Sequence, residues 1–396
     1  MLSIIDAASA MLQSRNFAAH LAPQDTLTRG APKDRLEISK RFECLAMNLK
    51  QLSETLGLSQ TTVSRALNGY PEVNEETRRR VMEAARRHDY RPNTRAKSLA
   101  TGRAMAIGHV IPISTKHEIV NPIFADFIAG AGETYTKMGY DMLLSVVPDA
   151  DQARCYREMK AKRNVDGVIL HGPHFDDSRI PLLTEIGLPF IVHGRSTNAT
   201  LPYSWLDVNS RRAFERATGL LLDLGHRRIA LLNGLEHMDF ALRRRAGYSA
   251  ALQAAGLETD RALMRSEEMT EGYGHRAAIQ MLRADAPPTA FLTSSLIIAL
   301  GVRRALEELG LKMGRDVSIV THDDELSYLR NGEDIPIYTA VRSSVREAGR
   351  MAAEMLIRRI TDPTLPYLDR LLEAELTIGQ STGPAPNRGA RQGGAG

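Results

Sequence analysis

The sequence predicts an N-terminal all-α helix-turn-helix headpiece joined to an α/β core of two parallel-sheet lobes. Three observations predict it. Leu49, Leu52 and Leu56 fall at helical spacing just before Gly57, and a second short amphipathic segment follows at once. From Met105 onward apolar strands alternate with amphipathic helices over a stretch too long for one comfortable sheet. The charge is also uneven. The whole chain carries a formal +4, yet Met47 to Arg103 alone holds eleven Lys or Arg against six Asp or Glu, so a basic segment is attached to a near-neutral body.

In the head, Gly57 supplies the left-handed position that ends the first helix. Ser59 is placed to cap a second helix with Val63 and Leu67 facing inward, and Asn68-Gly69 stops it. Asn74 caps a third, with Glu75 and Glu76 at its positive end and Val81, Ala84 and Ala85 as its buried stripe. After Arg91-Pro92, the segment from Asn93 to Ala100 is too short and too polar to hold a helix alone. It reads as a hinge that is helical only when held in place.

In the body, strands are expected at Ala106–Ile111, Met142–Val147, Gly167–His171, Phe190–His193, Ile229–Leu232, Ala290–Thr293 and Val317–Thr321. Phe124–Met138 and Phe214–Leu224 are the clearest helices between them. The expected division is an extension over 1–46, the headpiece over 47–92, the hinge over 93–102, the two-lobed core over 103–382 and a disordered Gly-, Pro- and Arg-rich tail over 383–396. Asp6 and the lack of a preceding Lys or Arg make Leu2 to Leu12 a poor signal peptide, so the first 46 residues read as a flexible extension, with Met47 a candidate start of translation. Apolar runs such as Ile229 to Leu232 fall far short of the roughly 20 residues of a membrane helix. Cys44 and Cys155 are too few and too isolated for a disulfide framework or a zinc site, and read as reduced thiols of a cytoplasmic protein.

The segment Leu49 to Asn68 carries the first chemistry. In a helix-turn-helix the second helix enters the major groove and its N-terminal residues face base edges. Those residues are Gln60 and Thr61, with Arg65 one turn on. Gln pairs with adenine and Arg with guanine through two hydrogen bonds each, and Thr meets a thymine methyl. Ser59, Thr62 and Ser64 suit phosphates, which position the helix without reading sequence.

Thr-Val-Ser-Arg-Ala-Leu-Asn-Gly at 62–69, Val-Asn-Glu-Glu-Thr-Arg at 73–78, Tyr-Arg-Pro-Asn at 90–93 and Ser-Leu-Ala-Thr-Gly at 98–102 resemble the headpiece of the lactose-repressor family. The likeness continues to about Ile378 and omits only the two ends. It implies a periplasmic-binding-protein-like core, a near-palindromic double-stranded operator and a homodimer, with tetramer formation left open. It also implies that Asn93 to Ala100 is a hinge helix folded on the operator, and that Leu99 is the leucine wedged into the minor groove to kink the central step. Asn68, Asn93 and Lys97 join the expected DNA-binding set.

The same resemblance places a small-molecule effector between the lobes. Asn121-Pro122-Ile123-Phe124 matches the motif at the cleft mouth, where Phe124 can pack on a ring. Arg243-Arg244-Arg245-Ala246-Gly247-Tyr248 resembles an Arg-x-x-Gly-Tyr segment that puts Arg244 on the effector, with Arg243 and Arg245 expected in solvent. Asp207 and Asn209 are further polar candidates. Leu296 departs from the family, which usually has an Asp there to accept from effector hydroxyls; Ser294 or Ser295 is the expected substitute. Thr321-His322-Asp323-Asp324 is given a structural role.

The resemblance implies control of carbohydrate uptake or catabolism, with a sugar, an α-glucoside among the candidates, as effector and no cofactor. Enzyme readings find little. Gly130-Ala131-Gly132 begins like a dinucleotide fingerprint but continues to Tyr135 inside a helix, and His171 and His174 lack further metal ligands nearby. A solute-binding transport protein shares the core but not the head. Activation in place of repression stays open.

Overall fold

The computed structural model describes residues 47–67, 69–90, 102–113 and 121–386. The expected extension, the hinge with Asn93, Lys97 and Leu99, and Asn68 lie outside them. The described residues form two compact units, each treated by itself.

The head is three helices, α1 (Leu49–Leu56), α2 (Gln60–Leu67) and α3 (Glu75–Arg87). Asn48 and Gln51 cap α1 reciprocally, and Gly57 ends it at φ 61°. The Ser59 hydroxyl accepts from the Thr62 backbone N–H at 3.0 Å and Asn74 accepts from that of Thr77 at 2.8 Å, so both expected caps form. Leu52, Val63, Ala66, Val73, Val81, Ala84 and Ala85 make the small core that fixes the three axes.

The body holds two six-stranded sheets. The first contains β1 (Ala106–Pro112), β2 (Asp141–Val147), β3 (Gly167–His171), β4 (Phe190–His193), β5 (Trp205–Val208) and a late strand, β11 (Asp369–Leu372), in the order β11-β5-β4-β3-β1-β2, all parallel. Its helices are α4 (Pro122–Met138), α5 (Gln152–Lys162), α6 (Arg179–Glu185) and α11 (Val345–Thr361). The second contains β6 (Ile229–Asn233), β7 (Met264–Ser266), β8 (Ala290–Thr293), β9 (Ser318–Asp323), β10 (Thr339–Arg342) and β12 (Glu375–Thr377), in the order β12-β10-β9-β8-β6-β7. Only β12 runs antiparallel to its neighbour. This sheet carries α7 (Ser210–Asp223), α8 (Asp239–Ala254), α9 (Glu271–Leu282) and α10 (Leu296–Glu308).

Each lobe is covered on both faces, which is why β3, β6, β8 and β9 are buried at every residue instead of alternating. The helix pairs α4/α11, α7/α8 and α9/α10 approach through glycines. A Cβ on Gly130 would sit 1.9 Å from the Arg346 carbonyl, and one on Gly247 would sit 2.0 Å from that of Arg211. Gly130 is therefore a helix-packing residue and not part of a phosphate loop. The chain passes between the lobes three times, at Asn209, at Ser343-Ser344 and at Glu373-Ala374.

Five strands were not anticipated: β5, β7, β10, β11 and β12. All have three or four residues, and three of them lie at or beside a sheet edge with charged residues exposed. The expected boundary at Gly383 also falls too early. The Gly383 carbonyl accepts from the Ser318 hydroxyl at 3.2 Å and lies 3.1 Å from His226 Nε2, and Ala385 N–H donates to Leu224 at 2.8 Å, so the chain stays packed to residue 386. Among the described residues no helix is long and apolar enough to cross a membrane.

Candidate functional site

On the head, Val63 and Ala66 bury one side of α2, which turns Gln60, Thr61 and Arg65 outward, all exposed. Thr62 and Ser64 flank this face, half-buried. The Ser59 and Thr62 hydroxyls lie 2.9 Å apart, so capping also orients these two hydroxyls. Arg78 is tied to Glu75 at 2.9 Å and to the Tyr70 carbonyl at 2.9 Å, whereas Arg79, Arg80, Arg86 and Arg87 of α3 are exposed. The exposed cations make the head an electrostatic footprint for a polyanion.

In the body, a cavity of about 460 Å³ lies between the lobes. The first lobe lines it with Phe124, His171, His193 and Asp207, the second with Arg244 and Asp324. The N-cap of α4 places Phe124: Asn121 accepts from the Ile123 N–H at 3.0 Å, with Pro122 in the first turn. The Phe124 ring meets His171 edge-on, with centroids 5.1 Å apart.

Arg244 sits where the motif predicts, buried in the cavity wall. Its Nη1 donates to the Ser294 carbonyl at 2.6 Å, and its guanidinium lies over the rings of Phe214 and Phe240, 5.1 and 4.8 Å from their centroids. Burial pushes it down to about 10, so it stays cationic at neutral pH. Its buried Nε has no hydrogen-bond partner in the protein. That atom is enclosed by protein, so the donor left for a ligand is Nη2, which makes no hydrogen bond among the described residues.

Other placements differ from expectation. Arg243 is not solvated: it lines the cavity, bonds both Asp207 oxygens at 2.8 and 3.2 Å, and lies 3.3 Å from Asp239. Arg245 leaves the cavity to pair with Glu236. Asn209 lies at an interlobe crossing and not in the cavity wall; its side chain accepts from the Arg212 N–H at 3.3 Å and donates to Glu373 at 2.9 Å. Ser295 is buried as the cap of α10, accepting from the Ile298 N–H at 3.3 Å, and Ser294 donates to Asn233 at 2.7 Å. Both serine hydroxyls are thus engaged within the protein, contrary to the expectation that one of them meets the effector, and Leu296 packs in the second lobe's core.

Sequence reasoning missed the histidines under the cavity. His109 Nδ1 lies 2.9 Å from His171 Nε2, its Nε2 lies 3.0 Å from the Tyr135 hydroxyl, and His193 stacks on Phe127 with centroids 4.2 Å apart. Burial pushes His109 down to about 3 and His193 to about 4, so the floor is neutral. Their sequence signal is position: His171 and His193 end β3 and β4, where open α/β sheets bind ligands, while His109 lies in the middle of β1. His322 and Asp324, given a structural role from sequence, also line the cavity. Burial works to raise the Asp324 carboxyl, but His322 at 3.3 Å and the nearby Arg244 hold it below the usual carboxylate range.

Comparison with known proteins bears on both units. Residues 49–93 match the family described as bacterial regulatory proteins, lacI family, and residues 218–382 match the periplasmic binding protein-like domain. The transcriptional regulator AglR of Rhizobium meliloti (strain 1021) is 45% identical over 346 residues, covering 87% of this chain and 96% of that protein. RafR of Escherichia coli is 36% identical, covering 70% and 82%. Among solved structures, the CelR–cellobiose complex is 28% identical at a TM-score of 0.62, covering 85% of this chain and 99% of that one. The lac repressor dimer bound to operator and the anti-inducer ONPF shares the fold at a TM-score of 0.71, with 24% identity over 85% of this chain and 99% of that one. A helix-turn-helix head on a two-lobed binding body, with these relatives, defines a DNA-binding transcriptional regulator. The chain belongs to the lacI family of bacterial regulatory proteins.

Proposed function

We propose that the chain works in the cytoplasm as a homodimer on a near-palindromic operator, repressing genes of carbohydrate uptake or breakdown until a small sugar in the interlobe cavity releases it. One observation carries the effector half of the reading: Arg244 stands in the cavity wall held by ring packing and one carbonyl on Nη1, with no hydrogen bond on Nη2 among the described residues. A sugar oxygen suits that donor, and the volume falls within the roughly 300–1,000 Å³ of small-molecule sites. The related CelR structure holds cellobiose, and an α-glucoside is the first sugar to try here.

In this reading Gln60, Thr61 and Arg65 meet base edges, while Ser59, Thr62 and Ser64 meet phosphates. Asn68, Asn93 and Lys97 add contacts, and Leu99 is the minor-groove wedge of a hinge over 93–102. The effector set is Asn121, Phe124, Asp207 and Arg244, without Asn209 and Ser295, which are not in the cavity wall. The effector acts by binding one lobe arrangement better than another, so operator affinity falls reciprocally. The test is titration of the full chain against DNA flanking its own gene, with and without maltose, trehalose and cellobiose. A specific complex released by one of them supports the reading; a specific complex indifferent to every carbohydrate tried refutes the effector half.

A further inference from the structure

Resting on that reading, we infer that the effector is an uncharged glycoside with one apolar side, and not a phosphorylated sugar. Most charges of the described cavity wall are already paired within the protein. Asp207 is held by Arg243 at two points and by Arg195 Nε at 2.9 Å. Arg243 in turn lies against Asp239, whose carboxylate accepts from the Thr197 N–H and hydroxyl at 3.3 and 3.1 Å. Glu271 pairs with Arg304 at 3.1 Å. Arg244 remains, and the buried Asp324 is near enough to influence it.

A phosphate bound here would have to shed its water beside Asp207 and Asp324 and, among the described residues of the wall, would meet Arg244 as its one cation not held in a side-chain ion pair. The histidines add no free cation: His171 and His193 are buried and held neutral, and His322 already faces Asp324 at 3.3 Å. An unpaired dianion in such a place is strongly disfavoured, whereas a hydroxyl needs only a donor and an acceptor. Much of the remaining wall is apolar, with Met238, Phe240, Met269, Ile297, Leu300 and Leu329. Ile297 and Leu300 stand together here on the first turns of α10. Such a surface takes the C–H face of a second sugar ring or an aromatic aglycone.

Calorimetry on the full chain tests this with matched pairs: trehalose against trehalose 6-phosphate, maltose against its 6′-phosphate, and adenosine against AMP as a pair outside the sugars. The expected result is that a neutral sugar binds at least tenfold tighter than its phosphate, and that 4-nitrophenyl α-D-glucopyranoside binds tighter than methyl α-D-glucopyranoside. A phosphorylated member binding as tightly as its neutral partner overturns the inference. Adenosine binding while every sugar fails would refute the sugar reading and leave the neutrality of the site standing. Failure of all the neutral compounds counts against both.

Discussion

Arg243 and Asp207 join the two lobes by a two-point ion pair, Nη1 to Oδ2 at 2.8 Å and Nη2 to Oδ1 at 3.2 Å. One residue stands on α8 of the second lobe and the other at the end of β5 in the first, and both are largely buried, at 13% and 6% side-chain exposure. Removing one partner leaves a buried charge uncompensated. Arg243→Met is expected to cost no more than about 3 kcal/mol, the lower end for opening a buried pair, because Arg195 still faces Asp207. The double variant with Asp207→Asn should lose less than the sum of the two single losses in urea unfolding, since the pair is then removed once. A strictly additive double variant would show that the two side chains do not act as a pair.

Arg244→Ala separates sensing from DNA binding. Operator affinity should stay within about twofold of wild type, because the residue lies in the body's cavity, while calorimetric binding of the effector falls below detection. Unchanged effector affinity would remove Arg244 from the site.

Gln60→Ala should cost roughly 1–3 kcal/mol on the cognate operator and relax preference at one base pair. Arg79→Ala, on the exposed basic face of α3, should weaken cognate and scrambled duplex alike and flatten the salt dependence, if that face meets phosphates. Leu99→Ala should lower specific affinity and abolish DNA bending while sparing nonspecific binding. Equal bending by wild type and Leu99→Ala would discard the wedge.

Acid should loosen the body through its neutral histidines. Unfolded histidine titrates near about 6.5, so a group held to about 4 in the fold, as His193 is, contributes fully above that value. The contribution is lost as pH falls, because the unfolded chain takes up the proton first. His109 follows the same sign, with a folded value of about 3. Each should cost about 2 kcal/mol between pH 7 and pH 5. Urea unfolding of wild type and His193→Gln at both values isolates one of them; identical pH slopes would mean that His193 binds its proton in the fold.

The head was legible almost residue by residue, since caps at Ser59 and Asn74 and a left-handed Gly57 act within one turn of chain. The alternation of the body was legible too, because strands such as Gly167–His171 and Ala290–Thr293 are buried on both faces and read as continuous apolar runs. Arg244 and Phe124 were found through matched motifs. Arg243 was misjudged because its partner Asp207 is remote in sequence, and Asn209 because a polar residue beside a cleft reads the same whether it meets a ligand or caps a helix. His109, His171 and His193 form a cluster only once three parallel strands lie side by side.

The three passages of the chain between lobes bear on how the molecule is made. The first lobe opens with β1 but is closed by Ala352, Leu356 and Ile357 of α11 and by β11, which are synthesised after nearly all of the second lobe. Until they emerge, Phe127, Ala131 and Tyr135 of α4 have no partner helix to cover them. The second lobe can set β6 to β10 earlier but waits for β12 at its edge. A ribosome must therefore release almost the whole chain before either sheet is whole. The head, with its own core complete by Ala85, has no such wait. A message stopped within the body would yield a fragment able to fold a DNA-contacting surface with no finished sensor behind it.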